Sequence, residues 1–160
     1  MDTRELLLIV HIVGALLLAG GSLTAMALGI YAGAGTSTHS IRFATDLQIK
    51  ADRTMITPGA VIAIIFGMLL VLEVDHIDFS EAWISAALVF WIIAGGLSSA
   101  ILTPHAKRIR DHADRLIAEG VAESVELQSA FATPKVKAIG IALNLLLVAF
   151  VYLMVARPGA

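Results

Sequence analysis

One stretch limits what this chain can fold into: Leu6 to Tyr31, LLLIVHIVGALLLAGGSLTAMALGIY, an apolar run with a single histidine, His11, inside it. A helix crosses the hydrocarbon layer in roughly 20 residues at about 1.5 Å each, and this run is long enough. Hydrocarbon supplies no partners for backbone groups, so the run must satisfy its own as a helix. Helical spacing puts His11, Gly14, Leu18, Gly21, Ala25 and Gly29 on one face. An imidazole is costly to lay against lipid, so it faces protein or water and takes a partner there. Its neighbours on that face are small enough to admit something close to the backbone.

Three further apolar runs follow, and their apolarity is continuous where a membrane barrel would alternate. The spans are expected at about 6–31, 55–74, 82–102 and 136–156. The 160-residue chain is 58% hydrophobic and 15% charged, with mean hydropathy +0.87. We expect one membrane domain over 1–160: an all-α bundle of four transmembrane helices, both termini on one side. The residues before the first run, Asp2, Arg4 and Glu5, are net negative where a secretion signal needs positive charge, so that run reads as a retained span. The chain has no cysteine, which excludes disulfides, thiolate catalysis and Cys-ligated zinc or iron–sulfur sites.

The basic residues set the expected orientation. Of the 11 lysines and arginines, Arg42, Lys50 and Arg53 lie between spans one and two, and Lys107, Arg108, Arg110, Arg115, Lys135 and Lys137 between spans three and four. The opposite side has Arg4 and Arg157, and the short link 75–81 between spans two and three is acidic. The positive-inside rule makes the basic loops cytoplasmic and both termini external, in the inner membrane of a prokaryote. The connector 104–134 carries an apolar stripe of Ile109, Ala113, Leu116 and Ile117. It suits a helix that continues span three or lies on the membrane surface, either solvated or docking a membrane-complex partner. Glycine faces such as Gly29 and Gly33 suit contacts within the bundle or in a homo-oligomer. Beyond the lipid bilayer and such protein contacts no partner is indicated, and none that is nucleic acid.

An internal repeat is suggested by Ala19–Ala25, AGGSLTA, and Ala94–Ala100, AGGLSSA, and by Thr57-Pro58 and Thr133-Pro134 at nearly the same offset. In that register His11 corresponds to Ala86 and Met68 to Asn144, so a site built on His11 is one-sided.

Depth along the spans gathers His11, Met68 and Tyr152 into one layer of the outer leaflet, with Glu73, His76 and Trp83 nearer the surface. Imidazole and thioether are both ligands of haem iron, and helical bundles hold porphyrin between facing helices. Gly14 beside the histidine would let a flat ring approach. The same histidine also suits a hydrogen bond to a neighbouring helix, or a proton relay. Met68 also suits core filling, Tyr152 and Trp83 an aromatic belt, and Asn144 a bond between helices. There is no phosphate-binding glycine loop, zinc-spaced histidine pair or nucleophile motif. His105 and His112 share a face of the connector two turns apart, too far for one metal, and are expected to be solvated.

The segment Leu8–Gly14, LIVHIVG, the second span Pro58–Leu69, PGAVIAIIFGML, and the opening Glu81-Ala82-Trp83 of the third resemble one superfamily. The chain looks like the integral-membrane proteins of domain of unknown function 2269, similar to the bacterial membrane-bound protoporphyrinogen oxidase and the copper-resistance D proteins. The resemblance implies a four-helix bundle binding haem b through a first-span histidine, which maps to His11. The oxidase branch also carries a lysine shortly after the third-span tryptophan. Here Ile84, Ser85, Ala86 and Ala87 follow Trp83, which argues against protoporphyrinogen oxidation. The expected function is therefore a haem-b-binding membrane protein with a redox or haem-handling role: a membrane oxidoreductase if an enzyme, with His11 as axial ligand and Met68 as second ligand. The rivals are a non-redox transporter or channel subunit and a structural subunit of a membrane complex.

Overall fold

The computed structural model describes residues 1–73 and 79–158. Val74 at the expected end of span two, and residues 75–78 of the link with His76, expected at the outer surface, lie outside the described residues. Among the described residues, four helical rods are long and apolar enough to cross a membrane, at Thr3–Gly33, Thr38–Glu73, Ala82–Ala118 and Val125–Ala156.

Helix α1, Thr3–Gly33, opens on a capping box in which the Asp2 carboxylate accepts from the Glu5 amide at 2.7 Å and Glu5 accepts from the Asp2 amide at 3.0 Å. These bonds satisfy two of the amides that a helix start leaves without partners. The chain between spans one and two is largely helical. Helix α2, Thr38–Ala51, runs without a break into α3, Thr57–Glu73. Helix α4, Ala82–Leu97, runs likewise into α5, Thr103–Ala118. At each join lies one π-helical turn, Asp52–Ile56 and Ser98–Leu102, in which Thr57 and Thr103 donate five residues back to Asp52 and Ser98.

Proline explains both turns. Pro58 and Pro104 cannot donate, and in a regular helix each ring would press on the carbonyl four residues back, at Thr54 and Ala100. Both carbonyls lie inside the widened turns, which relieve the clash while the rod continues. The rods are tied there, since the Asp52 carboxylate accepts from Thr103 at 3.2 Å and from Thr57 at 3.4 Å. The third Thr-Pro pair does break its rod. Thr133 is extended between α6, Val125–Phe131, and α7, Pro134–Ala156, and puts proline at a first-turn position that needs no donor.

The connector's apolar stripe is covered from within the chain. Ile109 and Ala113 of α5 are buried with Ile41 and Ala44 of α2, Ala32 of α1, and Leu127 and Phe131 of α6. The expectation that this stripe is solvated or docks a partner is therefore corrected. The reason lies in α2, whose Ile41, Ala44, Thr45 and Ile49 fall at helical spacing on one buried face. Together α2, α5 and α6 form a folded layer with its own core at the basic end of the bundle. Gln48 donates to the Ala25 carbonyl at 2.8 Å and Gln128 to that of Gly33 at 3.0 Å, joining the layer to α1.

Candidate functional site

The tightest helix pair is α1 with α3. On the α1 side the buried residues are His11, Gly14, Gly21 and Ala32, the first three on the face read from the sequence. A Cβ at Gly14 would lie 2.7 Å from the Ala63 backbone nitrogen, and one at Gly59 would lie 2.5 Å from that of Leu18. Only glycine lets the backbones come this close. Gly14, expected to leave room for a flat ring, has that room filled by α3 instead.

His11 is seated one turn toward the N-terminal end of α1 in this contact and is only 9% exposed. Its Nδ1 lies 2.8 Å from the carbonyl oxygen of Ala63. A carbonyl can only accept, so Nδ1 carries the proton, and in the neutral ring Nε2 keeps its lone pair. Nε2 has no hydrogen-bond partner among the described residues. Gly67 of α3 leaves room for the ring, since a Cβ there would stand 3.1 Å from both Nδ1 and Cε1. The α3 residue that meets the imidazole is thus Gly67, and Met68 is the next along, 38% exposed. Tyr152 of α7 is 61% exposed and Glu73 lies on the surface at the end of α3.

The second pair, α4 with α7, is looser. Phe90 and Phe150 meet edge to face at 6.4 Å. Near the C-terminal end of α7, the Arg157 guanidinium lies 5.9 Å over the Trp83 ring, whose indole nitrogen donates to Glu81. Asn144 does bond another helix, accepting from Ser22 of α1 at 3.3 Å and donating to Gly140 at 2.9 Å. The proposed repeat is used unequally. Gly21 is pressed against Met55 and Ile56, whereas its counterpart Gly96 has open space where a Cβ would go. Among the described residues, no three His, Asp or Glu side chains gather where a metal ion could be held.

His105, expected to be solvated, is not. It is partly buried, its Nε2 has no hydrogen-bond partner, and burial holds its pKa below the ordinary imidazole value. The signal was available, because α5 continues a membrane span and its buried stripe lies one turn away.

Among the described residues, four apolar helices, an all-helical fold and a histidine buried between two spans define a polytopic helical membrane protein. The chain belongs to the family of predicted integral membrane proteins DUF2269, whose model matches residues 5–158. No curated protein and no solved structure matches it.

Proposed function

We propose that this protein binds haem b through His11 and serves a redox or haem-handling role in the membrane. The observation that carries the reading is the Nδ1 contact with the Ala63 carbonyl, 2.8 Å long. Histidines that ligate metals commonly anchor one ring nitrogen on a carbonyl, which fixes the tautomer and aims the other nitrogen at the metal. The donor set suits haem better than a bare ion, because a porphyrin already supplies four nitrogens and asks one or two ligands of the protein. The resemblance of the first-span histidine segment to the haem-binding oxidase branch points the same way. Met68, one residue beyond the glycine against the imidazole, is the proposed second ligand, and Tyr152 lies in the same depth layer.

Bound haem would supply one-electron chemistry; the chain's own part is to orient the imidazole through the Ala63 carbonyl. Proton-coupled removal of hydrogens from protoporphyrinogen is not part of the reading, since no lysine follows Trp83. The basic layer is proposed to face the cytoplasm of a prokaryote, which puts His11 in the outer leaflet.

The visible spectrum of the purified protein tests this. We expect a Soret band, present on isolation or after haem reconstitution, that His11→Ala abolishes while circular dichroism still reports a folded helix bundle. A wild-type protein that stays colourless after reconstitution, or a Soret band that survives in His11→Ala, overturns the proposal.

A further inference from the structure

At the basic end a cavity of about 620 Å³ opens between α5 and the junction of α6 with α7. His105, Arg108, His112 and Arg115 line it from α5, at spacings of three and four residues that keep them on one helix face. Thr133 lines the other wall. Its side chain makes no capping bond to the start of α7, a 23-residue helix whose positive end lies beside the cavity. Apolar Ile109 and Ala130 complete the lining.

The charges here are not spent on one another. Among the described residues Arg108 and Arg115 have no acidic partner, and Arg108 only reaches back to the Pro104 carbonyl at 3.3 Å. One carboxylate, Asp111, also borders the cavity, but it is paired with Arg110 at 3.0 Å. His105 adds a buried ring nitrogen without a hydrogen-bond partner. The surplus is cationic and is carried on one face of a continuous helix.

The place in the fold says which anion. His105 comes three residues after Leu102, where the apolar run of span three ends, and Thr133 immediately precedes span four. Thr133 and the His105 end of the α5 wall therefore stand at the level where helices leave the hydrocarbon, the depth of lipid phosphates. Basic pockets between spans at this depth suit anionic headgroups, which point charges on a soluble surface would not select.

We propose that this cavity binds the phosphate of an anionic membrane phospholipid, with Arg108 and Arg115 as its main ligands and His105, His112 and Thr133 as hydrogen-bonding groups. It lies at the opposite end of the bundle from His11 and does not depend on what His11 holds.

The test uses the full-length protein in detergent, its thermal unfolding followed as phosphatidylglycerol, phosphatidylcholine or inorganic phosphate is added. Phosphatidylglycerol is expected to stabilise it well beyond phosphatidylcholine at equal concentration. Arg108→Gln and Arg115→Gln should each weaken the apparent affinity for phosphatidylglycerol about fivefold. Lys107→Gln removes the same charge from a position of α5 outside the cavity and should leave that affinity unchanged. Arg108→Lys and Arg115→Lys keep the charge, retain most of the affinity and remain informative if the glutamine variants fold poorly. Equal stabilisation by phosphatidylcholine, an equal loss in Lys107→Gln, or inorganic phosphate that matches the lipid would each overturn the proposal.

Discussion

Substituting Gly59 by alanine probes the feature on which the site depends. A Cβ at Gly59 would stand 2.5 Å from the Leu18 backbone nitrogen, 2.8 Å from the Gly14 carbonyl oxygen and 3.0 Å from the Leu17 Cβ. Ordinary contact begins at 3.4 Å, so α1 and α3 must separate by about 0.9 Å (3.4 − 2.5) at that point. No side chain can rotate aside, because the first two obstacles are backbone. Overpacking of this kind costs about 3 kcal/mol, and alanine returns about 1 kcal/mol through its better helix propensity. The net loss is about 2 kcal/mol, measurable by unfolding the detergent-solubilised protein with increasing dodecyl sulfate. Gly96→Ala is the control. It occupies the matching position of Gly21 in the second hairpin, has open space around its Cβ and is expected to be neutral or slightly stabilising. If Gly59→Ala unfolds with the wild type, or Gly96→Ala loses as much, the close backbone contact is not what holds the pair together. A separated pair also draws the Ala63 carbonyl away from His11, so the variant should loosen the imidazole as well as the helices.

Ile109→Ala removes a buried side chain from the core of the basic layer and should cost about 3 kcal/mol. The loss should show as faster proteolysis within 104–134, with the apolar spans still protected; unchanged cleavage would mean that α2 does not cover α5. The layer should also weaken in acid. Burial lowers the His105 pKa below 6.5, outweighing the bond to the Phe131 backbone that raises it, and Arg108 lowers it further. The unfolded chain then takes up a proton first as pH falls through about 6.5, so this contribution is intact above that value and is lost progressively below it. Unfolding followed from about pH 8 to about pH 5 should show the decline, and His105→Gln should flatten it.

The spans were legible because lipid leaves the chain no alternative, and continuous apolarity states that directly. The face bearing His11, Gly14 and Gly21 was legible too, since helical spacing is strict and small residues on one side of a span invite a close neighbour. What the glycines admit was not legible, because a glycine reads the same beside a porphyrin edge as beside another backbone. For Gly14 the occupant is α3. The stripe on α5 was visible at Ile109 and Ala113, but its cover was hidden. The buried positions of α2 are diluted by Arg42, Asp46 and Lys50, so that stretch reads as a polar loop. The π turns left no trace in composition. They follow from proline placed inside a rod that tertiary packing does not allow to stop.

Those turns fix how the chain can change its length. A π turn holds one more residue per hydrogen-bonded ring than an α turn. Because α2 enters α3, and α4 enters α5, without a loop, an added or lost residue elsewhere in either rod would swing everything beyond it by about 100°. Such a swing would carry Gly59 and Gly67 off the face that meets α1. Within Asp52–Ile56 or Ser98–Leu102 a single residue can leave by tightening the turn to α, with both flanking faces kept in phase, provided the proline that the wide turn accommodates is replaced as well. These two turns are therefore the points in the rods where evolution or an engineer can shorten the protein by one residue without re-aiming a span.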